Sequence, residues 1–154
     1  MGRIYSIQFN NVSVSAVQDL MSLQSTSGMA ISIHEVIVAQ VTGSTVANLR
    51  LTLKRFSGAY SIGSGGSSVT PGKFNFGDAA ATATGRANDT TQTTSGTAVT
   101  LRGDVYNVIN GYQFLPAPED RPIIAPSQAF VVSLDSAPGS AETMSGTVVF
   151  EELF

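Results

Sequence analysis

The sequence contains no cysteine, no tryptophan and only one histidine in 154 residues. The lack of cysteine excludes disulfides, thiolate zinc sites and thiol catalysis. Charged residues are also scarce, at 12% of the chain, where an average domain has roughly 25%. The net charge is −3, and the 8 Lys and Arg residues are scattered singly, which argues against a nucleic-acid partner because phosphate binding needs a basic stripe. A surface this poor in charge is typical of a protein that lies against other proteins.

Long apolar runs are missing as well. No segment approaches the roughly 20 residues that a membrane-spanning helix needs, and the first residues alternate in polarity instead of forming the apolar block of a signal peptide. The chain is therefore expected to be soluble, without a membrane partner. Its length predicts one domain, which spans residues 1–154.

Hydrophobic and polar residues alternate along most of the chain. In ANLRLTLKRF, the residues Leu49, Leu51 and Leu53 alternate with polar residues, which is the two-residue period of a strand with one buried face. The same period recurs in RIYSIQF, NVSVSAV, AISIHEVIVAQV, AVTLRGDVYNV, YQFLP, AFVVSLD and TMSGTVVFEEL. About eight strands without alternating helices predict an all-β antiparallel sandwich, because each one-sided sheet must bury its apolar face against another. A jelly roll is the leading topology, and an immunoglobulin-like sandwich is the alternative.

Two short segments support more local predictions. Asn110 and Gly111 form the preferred two-residue type I′ turn, so the strands on either side of them are predicted to form a hairpin. The segment QDLMSLQ, Gln18–Gln24, is the one stretch that permits a short helix.

Residues 57–97 form a long segment rich in Gly, Ser and Thr, with little hydrophobic periodicity. Loops beyond about 15 residues are uncommon unless they are functional or disordered. Ordering this segment would cost on the order of 60 kcal/mol, whereas each of its few apolar residues contributes only about 1.5–3 kcal/mol when buried. Either the segment is mobile, or its backbone pairs with strands of the domain or with a neighbouring molecule. Phe74 and Phe76 flank Asn75 at the strand period, so KFNF is predicted to be a short strand laid on another surface.

The single histidine, His34, is followed directly by Glu35. Adjacent side chains on a strand point to opposite faces, so the two are predicted to diverge and not to act as an acid/base pair. Strict alternation groups His34 with Val36 and Glu35 with Ile33. A metal site on a jelly roll would need several histidines. A Ser-His-Asp triad would have to use His34, and the sequence has no nucleophile-elbow motif to supply its serine. His34 is therefore interpreted as a structural or interface residue.

Other motifs are weak evidence for chemistry. The glycine cluster in residues 63–68 lacks the Lys-Ser/Thr pair and the following helix of a phosphate loop. Arg102-Gly103-Asp104 spells an integrin-type tripeptide, but it lies inside a predicted strand. A pair of glycosidase carboxylates from different strands could come from Glu151 with Glu152, Glu119 with Asp120, and Asp135, although adjacent acids are more typical of a solvated edge. The chain is predicted not to be an enzyme and to bind no cofactor or metal.

Several segments together resemble small structural proteins of tailed bacteriophages and prophages, and the similarity covers nearly the whole chain in order. The segments are MGRIYSIQFNNVSVSAVQDL, IHEVIVAQ, GSGGSS, TPGKFNFGDAAAT, NDTTQTTSGTAVTLRGDVYNVINGYQFLPAPEDRPIIAPSQAFVVSL and ETMSGTVVFEEL. Among such proteins, the chain resembles the jelly-roll capsid cement, or decoration, proteins. The resemblance implies a virion protein made in the host cytoplasm that sits on the outside of the head, commonly as a trimer, and clamps neighbouring major capsid subunits.

Composition and position predict which residues contact the partner. The long segment and the two termini, beside edge strands, are the expected interface, with Arg3, Tyr60, Phe74, Phe76 and Phe154 as its candidate residues. A head-to-tail or tail protein remains an alternative, as does a sandwich that binds carbohydrate or a receptor. A hydrolase that uses carboxylates is a further one.

Overall fold

The computed structural model describes residues 2–42 and 46–153. Within these ranges the chain forms twelve strands and one 3-10 helix, Pro118–Asp120. The strands are β1 (Arg3–Val14), β2 (Gln18–Gln24), β3 (Ala30–Thr42), β4 (Asn48–Ser61), β5 (Ser67–Val69), β6 (Gly72–Lys73), β7 (Thr84–Asp89), β8 (Thr94–Asn107), β9 (Tyr112–Phe114), β10 (Ile123–Ile124), β11 (Ala129–Leu134) and β12 (Glu142–Leu153).

These strands build two antiparallel sheets that pack face to face. The first sheet has the order β10-β3-β12-β1-β6, and β9 pairs with β3 on the same edge as β10. The second sheet has the order β5-β7-β2-β11-β4-β8. The predicted all-β antiparallel sandwich is confirmed, whereas the more specific jelly-roll topology is not.

The hydrophobic core lies between the two sheets and is formed by alternate residues of their long strands. Tyr5 and Phe150, on neighbouring strands of the first sheet, place their ring centroids 5.6 Å apart and are fully buried. Leu49, Leu51 and Leu53 of β4 are buried as the alternation predicts. Each such side chain contributes about 1.5–3 kcal/mol, so this core is the main source of stability.

Strand β2 is the segment that permitted a helix. It lies between β7 and β11 in the second sheet, and all of its residues except Gln24 are buried. Pairing on both edges and burial on both faces override a weak helical preference. The segment is therefore a central strand.

The predicted hairpin at Asn110 and Gly111 is wrong. Strand β8 pairs with β4 in the second sheet, whereas β9 pairs with β3 in the first sheet. The turn itself is tight, because the Asn107 carbonyl accepts hydrogen bonds from the N–H groups of Asn110 and Gly111, both at 3.1 Å. Gly111 has φ of +73°, which glycine adopts readily. The turn carries the chain from one sheet to the other.

The long segment of residues 57–97 pairs with strands of the domain, which was one of the two alternatives. Strand β4 continues to Ser61 and β8 begins at Thr94, while β7 joins β2 and β5 joins β7 at the edge of the second sheet. Strand β6 joins β1 in the first sheet. Of the predicted strand KFNF, only Lys73 belongs to β6, and Phe74 to Phe76 lie beyond it.

A bulge in β3 changes the faces predicted around the histidine. Glu35 pairs with one residue of β12 and Ile33 with the next, so His34 is the extra residue between them. Ile33 and Val36 are consequently both buried in the core. The predicted grouping of His34 with Val36 and of Glu35 with Ile33 is wrong, because one inserted residue exchanges the faces of everything beyond it.

Candidate interaction surfaces

Strand β6 brings together two of the predicted interface residues. Lys73 pairs with Tyr5, and the Phe74 N–H donates a hydrogen bond of 3.1 Å to the carbonyl of Ile4. This pairing places Phe74 beside Arg3, although the two are far apart in sequence. A cavity of about 380 Å³ between them is lined by Gly2, Arg3, Ile4, Phe74, Asn75 and Asp78.

Residues 74–78 form a turn that we call the aromatic tip. The Asn75 side-chain oxygen accepts a hydrogen bond from the Gly77 N–H at 3.1 Å, and the Asn75 carbonyl accepts one from the Asp78 N–H at 3.1 Å. Phe76 is 98% exposed and Phe74 is 64% exposed. Exposure of two aromatic rings to water is unfavourable, and contact with another protein surface would displace that water. The aromatic tip is therefore a candidate docking element.

Tyr60 lies elsewhere, on the outer face of the second sheet. Its ring centroid is 6.4 Å from that of Phe56, and its hydroxyl accepts a hydrogen bond of 3.3 Å from Gln24. Together with Ile62 it covers a small apolar cluster that includes Val131. The structure thus gives Tyr60 a packing role away from the aromatic tip. Phe154, the remaining predicted interface residue, lies outside the described residues.

Two buried acids bond to the long segment, Asp89 from within it and Asp19 from strand β2. Asp89 accepts hydrogen bonds from the Arg86 guanidinium at 2.7 Å and 2.9 Å and from the Gly66 N–H at 3.1 Å. Asp19 accepts one from the Thr93 N–H at 2.6 Å. Charged acceptors strengthen such bonds. Sequence reasoning missed both acids, because an isolated Asp gives no sign in the sequence that it is buried.

The single histidine contacts a carboxylate that lies far along the chain. His34 Nε2 lies 2.9 Å from Glu151 Oε2 and 3.3 Å from an Arg121 nitrogen. Glu35 instead accepts a hydrogen bond from Gln113 at 3.1 Å. His34 and Glu35 therefore bond to different partners. The bulge places both side chains on the outer face of the first sheet, between the buried residues Ile33 and Val36, so the predicted divergence to opposite faces is wrong.

The adjacent acids Glu151 and Glu152 point to opposite faces of β12. Glu151 is partly exposed, whereas Glu152 is fully buried. The interpretation of both as a solvated edge is therefore wrong for Glu152.

A second surface lies where the edge strands of the two sheets approach each other. A groove of about 720 Å³ is lined by Leu53, Leu101, Arg102, Gln113, Phe114, Leu115, Pro116, Ala117, Asp120 and Pro122. The Arg102 guanidinium carbon lies 5.4 Å from the centroid of the Phe114 ring. The Arg102 Nε donates to the Asp104 carboxylate, and the Tyr112 hydroxyl donates to the same carboxylate oxygen at 2.9 Å.

Burial and the Asp104 carboxylate raise the pKa values of two groups on this second surface. The hydrogen bond to Asp104 raises the pKa of Arg102. Burial, followed by the bond to Asp104, raises the pKa of Tyr112. Arg102 is therefore a permanent cation and Tyr112 a permanent hydrogen-bond donor at neutral pH.

Burial of the Tyr106 phenol should make the stability of the fold depend on pH in the alkaline range. Its hydroxyl has no hydrogen-bond partner among the described residues, and burial raises its pKa to about 12. A raised pKa favours the neutral phenol, so its contribution to stability is complete below the unfolded-state pKa of 10.0 and is lost as pH rises towards 12. We expect Tyr106→Phe to remove that loss, with little effect at neutral pH. Urea unfolding of both proteins at about pH 8 and about pH 11 measures it, and an equal alkaline loss in both would contradict it.

Comparison of the chain with protein-family models, with curated proteins and with solved structures finds no match. Within residues 2–42 and 46–153, no three His, Asp or Glu side chains converge as metal ligands. The same described ranges contain no helix long and apolar enough to cross a bilayer.

Proposed function

We propose that the protein is a virion structural protein: a capsid cement, or decoration, protein that binds the outside of a tailed-phage head. Its partner would be the major capsid protein, and its role would be to stabilise contacts between neighbouring capsid subunits. The sequence resemblance motivates this proposal. The observation that supports it in the fold is the aromatic tip, which presents Phe76 to solvent at 98% exposure.

The way in which the aromatic tip is held favours docking onto a partner. Strand β6 fixes one end through its pairing with β1, and the Asn75 side chain closes the turn. A segment ordered before binding loses less conformational entropy when it binds. Binding energy is usually concentrated in a few buried anchors, often aromatic, and Phe74 and Phe76 have that character.

Low charge fits the same role. Only 12% of the residues are charged. Few ionic groups of this chain would therefore lose their water when a neighbouring subunit binds. A protein that binds only the assembled shell stabilises it by RT ln(1 + [L]/Kd) per site, roughly 4 kcal/mol at a thousandfold excess over Kd. Repeated over many sites, this effect would oppose the internal pressure of packaged DNA.

Co-sedimentation with phage heads tests the proposal. Empty expanded heads, stripped of accessory proteins, would be mixed with increasing amounts of the purified chain and pelleted. We expect saturable binding in a fixed ratio to the major capsid protein, and heads that resist heating better when saturated. Unexpanded heads serve as the control, because a cement protein acts after expansion. Protein that stays in the supernatant with expanded heads would overturn the proposal, and binding to tails would favour a tail protein instead.

A further inference from the structure

Strand β8 pairs along only one of its edges within residues 2–42 and 46–153. It is the outermost strand of the second sheet, and β4 is its only strand partner among the described residues. Its residues from Thr94 to Gly103 are all exposed. The outer edge of such a strand presents a row of N–H and C=O groups, which is a template for another strand.

Apolar side chains accompany this outer edge. Val105 is 70% exposed, and Val99 and Leu101 are each 38% exposed. Natural edge strands are usually protected by charge, proline or covering loops. The exposed valine and leucine side chains on this long edge strand offer apolar surface that a second strand would bury.

The order of the charged residues along β8 favours a second copy of the same strand as its partner. Arg102 and Asp104 flank Gly103, so the strand is complementary to itself in the antiparallel direction. If a two-fold axis passes beside Gly103, each Arg102 lies opposite Asp104 of a second copy. Directly opposite side chains have Cβ atoms about 4.5–5.5 Å apart, and opposite charges there are favourable.

The neighbouring registers are less favourable. An axis beside Arg102 would place the two Arg102 side chains opposite each other, and an axis beside Asp104 would do the same for two carboxylates. Only the register centred on Gly103 forms two attractive pairs from these residues. It also brings Val105 of each copy close to Leu101 of the other, where β8 bulges against β4.

The Asp104 carboxylate can accept a hydrogen bond from Arg102 of a second copy. Within the described residues, Arg102 and the Tyr112 hydroxyl both bond to Oδ2 of Asp104, and Oδ1 accepts no hydrogen bond. Asp104 therefore retains an acceptor for the guanidinium of a second copy. Charge-assisted bonds of this kind are stronger than neutral ones.

We infer that a second copy of this chain pairs with β8, antiparallel and two-fold symmetric about Gly103, through reciprocal Arg102–Asp104 contacts. The pairing joins the second sheets of two molecules into one continuous sheet. It does not depend on the proposed function, because the aromatic tip lies on the other sheet. A two-fold pair also differs from the trimer that the resemblance implies, so the mass in solution distinguishes them.

A charge-reversal experiment tests this pairing. The wild-type protein should have twice the 16.0 kDa mass of one chain by light scattering. Arg102→Asp places two like charges opposite each other at each contact, and so does Asp104→Arg. We expect each variant to dimerise on the order of 100-fold more weakly and to have the mass of one chain. An equimolar mixture of the two variants restores both attractive pairs and should recover the dimer.

Two further variants make the result decisive. Tyr112→Phe removes a neutral contact of Asp104 and should leave the dimer intact, which controls for local disturbance at that carboxylate. Arg50 lies over Gly103, with a guanidinium nitrogen 3.5 Å from the position of an added Cβ, so Arg50→Ser should tighten the pair by removing repulsion at the axis. A wild-type mass of one or three chains, charge variants that keep the wild-type mass, or a mixture that stays monomeric would overturn the inference.

Discussion

The double variant Phe74→Ser/Phe76→Ser is expected to lose most of its binding to expanded heads while remaining folded. Each phenylalanine contributes about 1.5–3 kcal/mol when its ring is buried. Loss of both would weaken binding by roughly two to four orders of magnitude, since 1.4 kcal/mol corresponds to a factor of ten. Both rings are exposed in the isolated protein, so their removal should leave its unfolding midpoint nearly unchanged. Titrated co-sedimentation and urea unfolding measure the two effects.

A matched variant separates the aromatic tip from general surface hydrophobicity. Val41 and Val46 are also exposed, at 49% and 64%, but Val41 lies near the end of β3 and Val46 precedes β4. Val41→Ser/Val46→Ser removes apolar surface elsewhere and should bind heads like the wild type. Asn75→Ala keeps both rings but loses the bond that closes the turn, so an intermediate affinity is expected. Unchanged head occupancy by the phenylalanine variant would eliminate the tip as the docking element.

The strands of the sandwich were predictable because burial on one face imposes a two-residue period. That period located β4 and β12 well, since both bury alternate residues against the opposite sheet. The bulge at His34 was not predictable. It depends on how β3 pairs with β12, and the sequence of β3 does not specify the strand that will lie beside it.

The turn at Asn110 and Gly111 shows that local residues indicate where the chain turns but not which strands pair after the turn. Gly111 adopts the positive φ that the dipeptide indicated, but Asn110 does not, so the predicted type I′ turn is wrong and the turn instead closes on the Asn107 carbonyl. Which strands pair afterwards is decided elsewhere. Tyr112 enters the first sheet next to Val38, where its ring is buried, and this gain outweighs a simple hairpin with β8.

The candidate site was predictable only in part. Exposed phenylalanines in a polar segment are visible in the sequence, and Phe74 and Phe76 are indeed exposed. The position of Arg3 beside Phe74 follows from the register of β6 on β1, which no local pattern encodes. The charge symmetry about Gly103 was present in the sequence, but it becomes informative only once β8 is known to be an edge strand.

Glu152 is expected to be the acid whose loss destabilises the fold most clearly. It is fully buried, and its Oε1 accepts hydrogen bonds from the Thr82 N–H at 2.6 Å, the Thr82 hydroxyl at 2.8 Å and the Ala83 N–H at 2.8 Å. Glu152→Ala leaves two backbone donors without an acceptor, each at a cost of about 1–3 kcal/mol. We expect a loss of about 4 kcal/mol, measured by urea unfolding, and a fall in Tm of roughly 10 °C.

The neighbouring acid supplies the control. Glu151 contacts His34 at the surface of the first sheet, where both side chains are partly exposed, so Glu151→Ala should cost only about 0–1 kcal/mol. Glu152→Gln keeps an acceptor oxygen for the backbone donors and should fall between the two. Residues 82 and 83 follow the aromatic tip, and the Tyr5 hydroxyl bonds to the Ala79 carbonyl at 3.0 Å in the same connection. If Glu152→Ala and Glu151→Ala unfold at the same urea concentration, the buried carboxylate does not anchor the connection, and the tip must be held by β6 and Tyr5 alone.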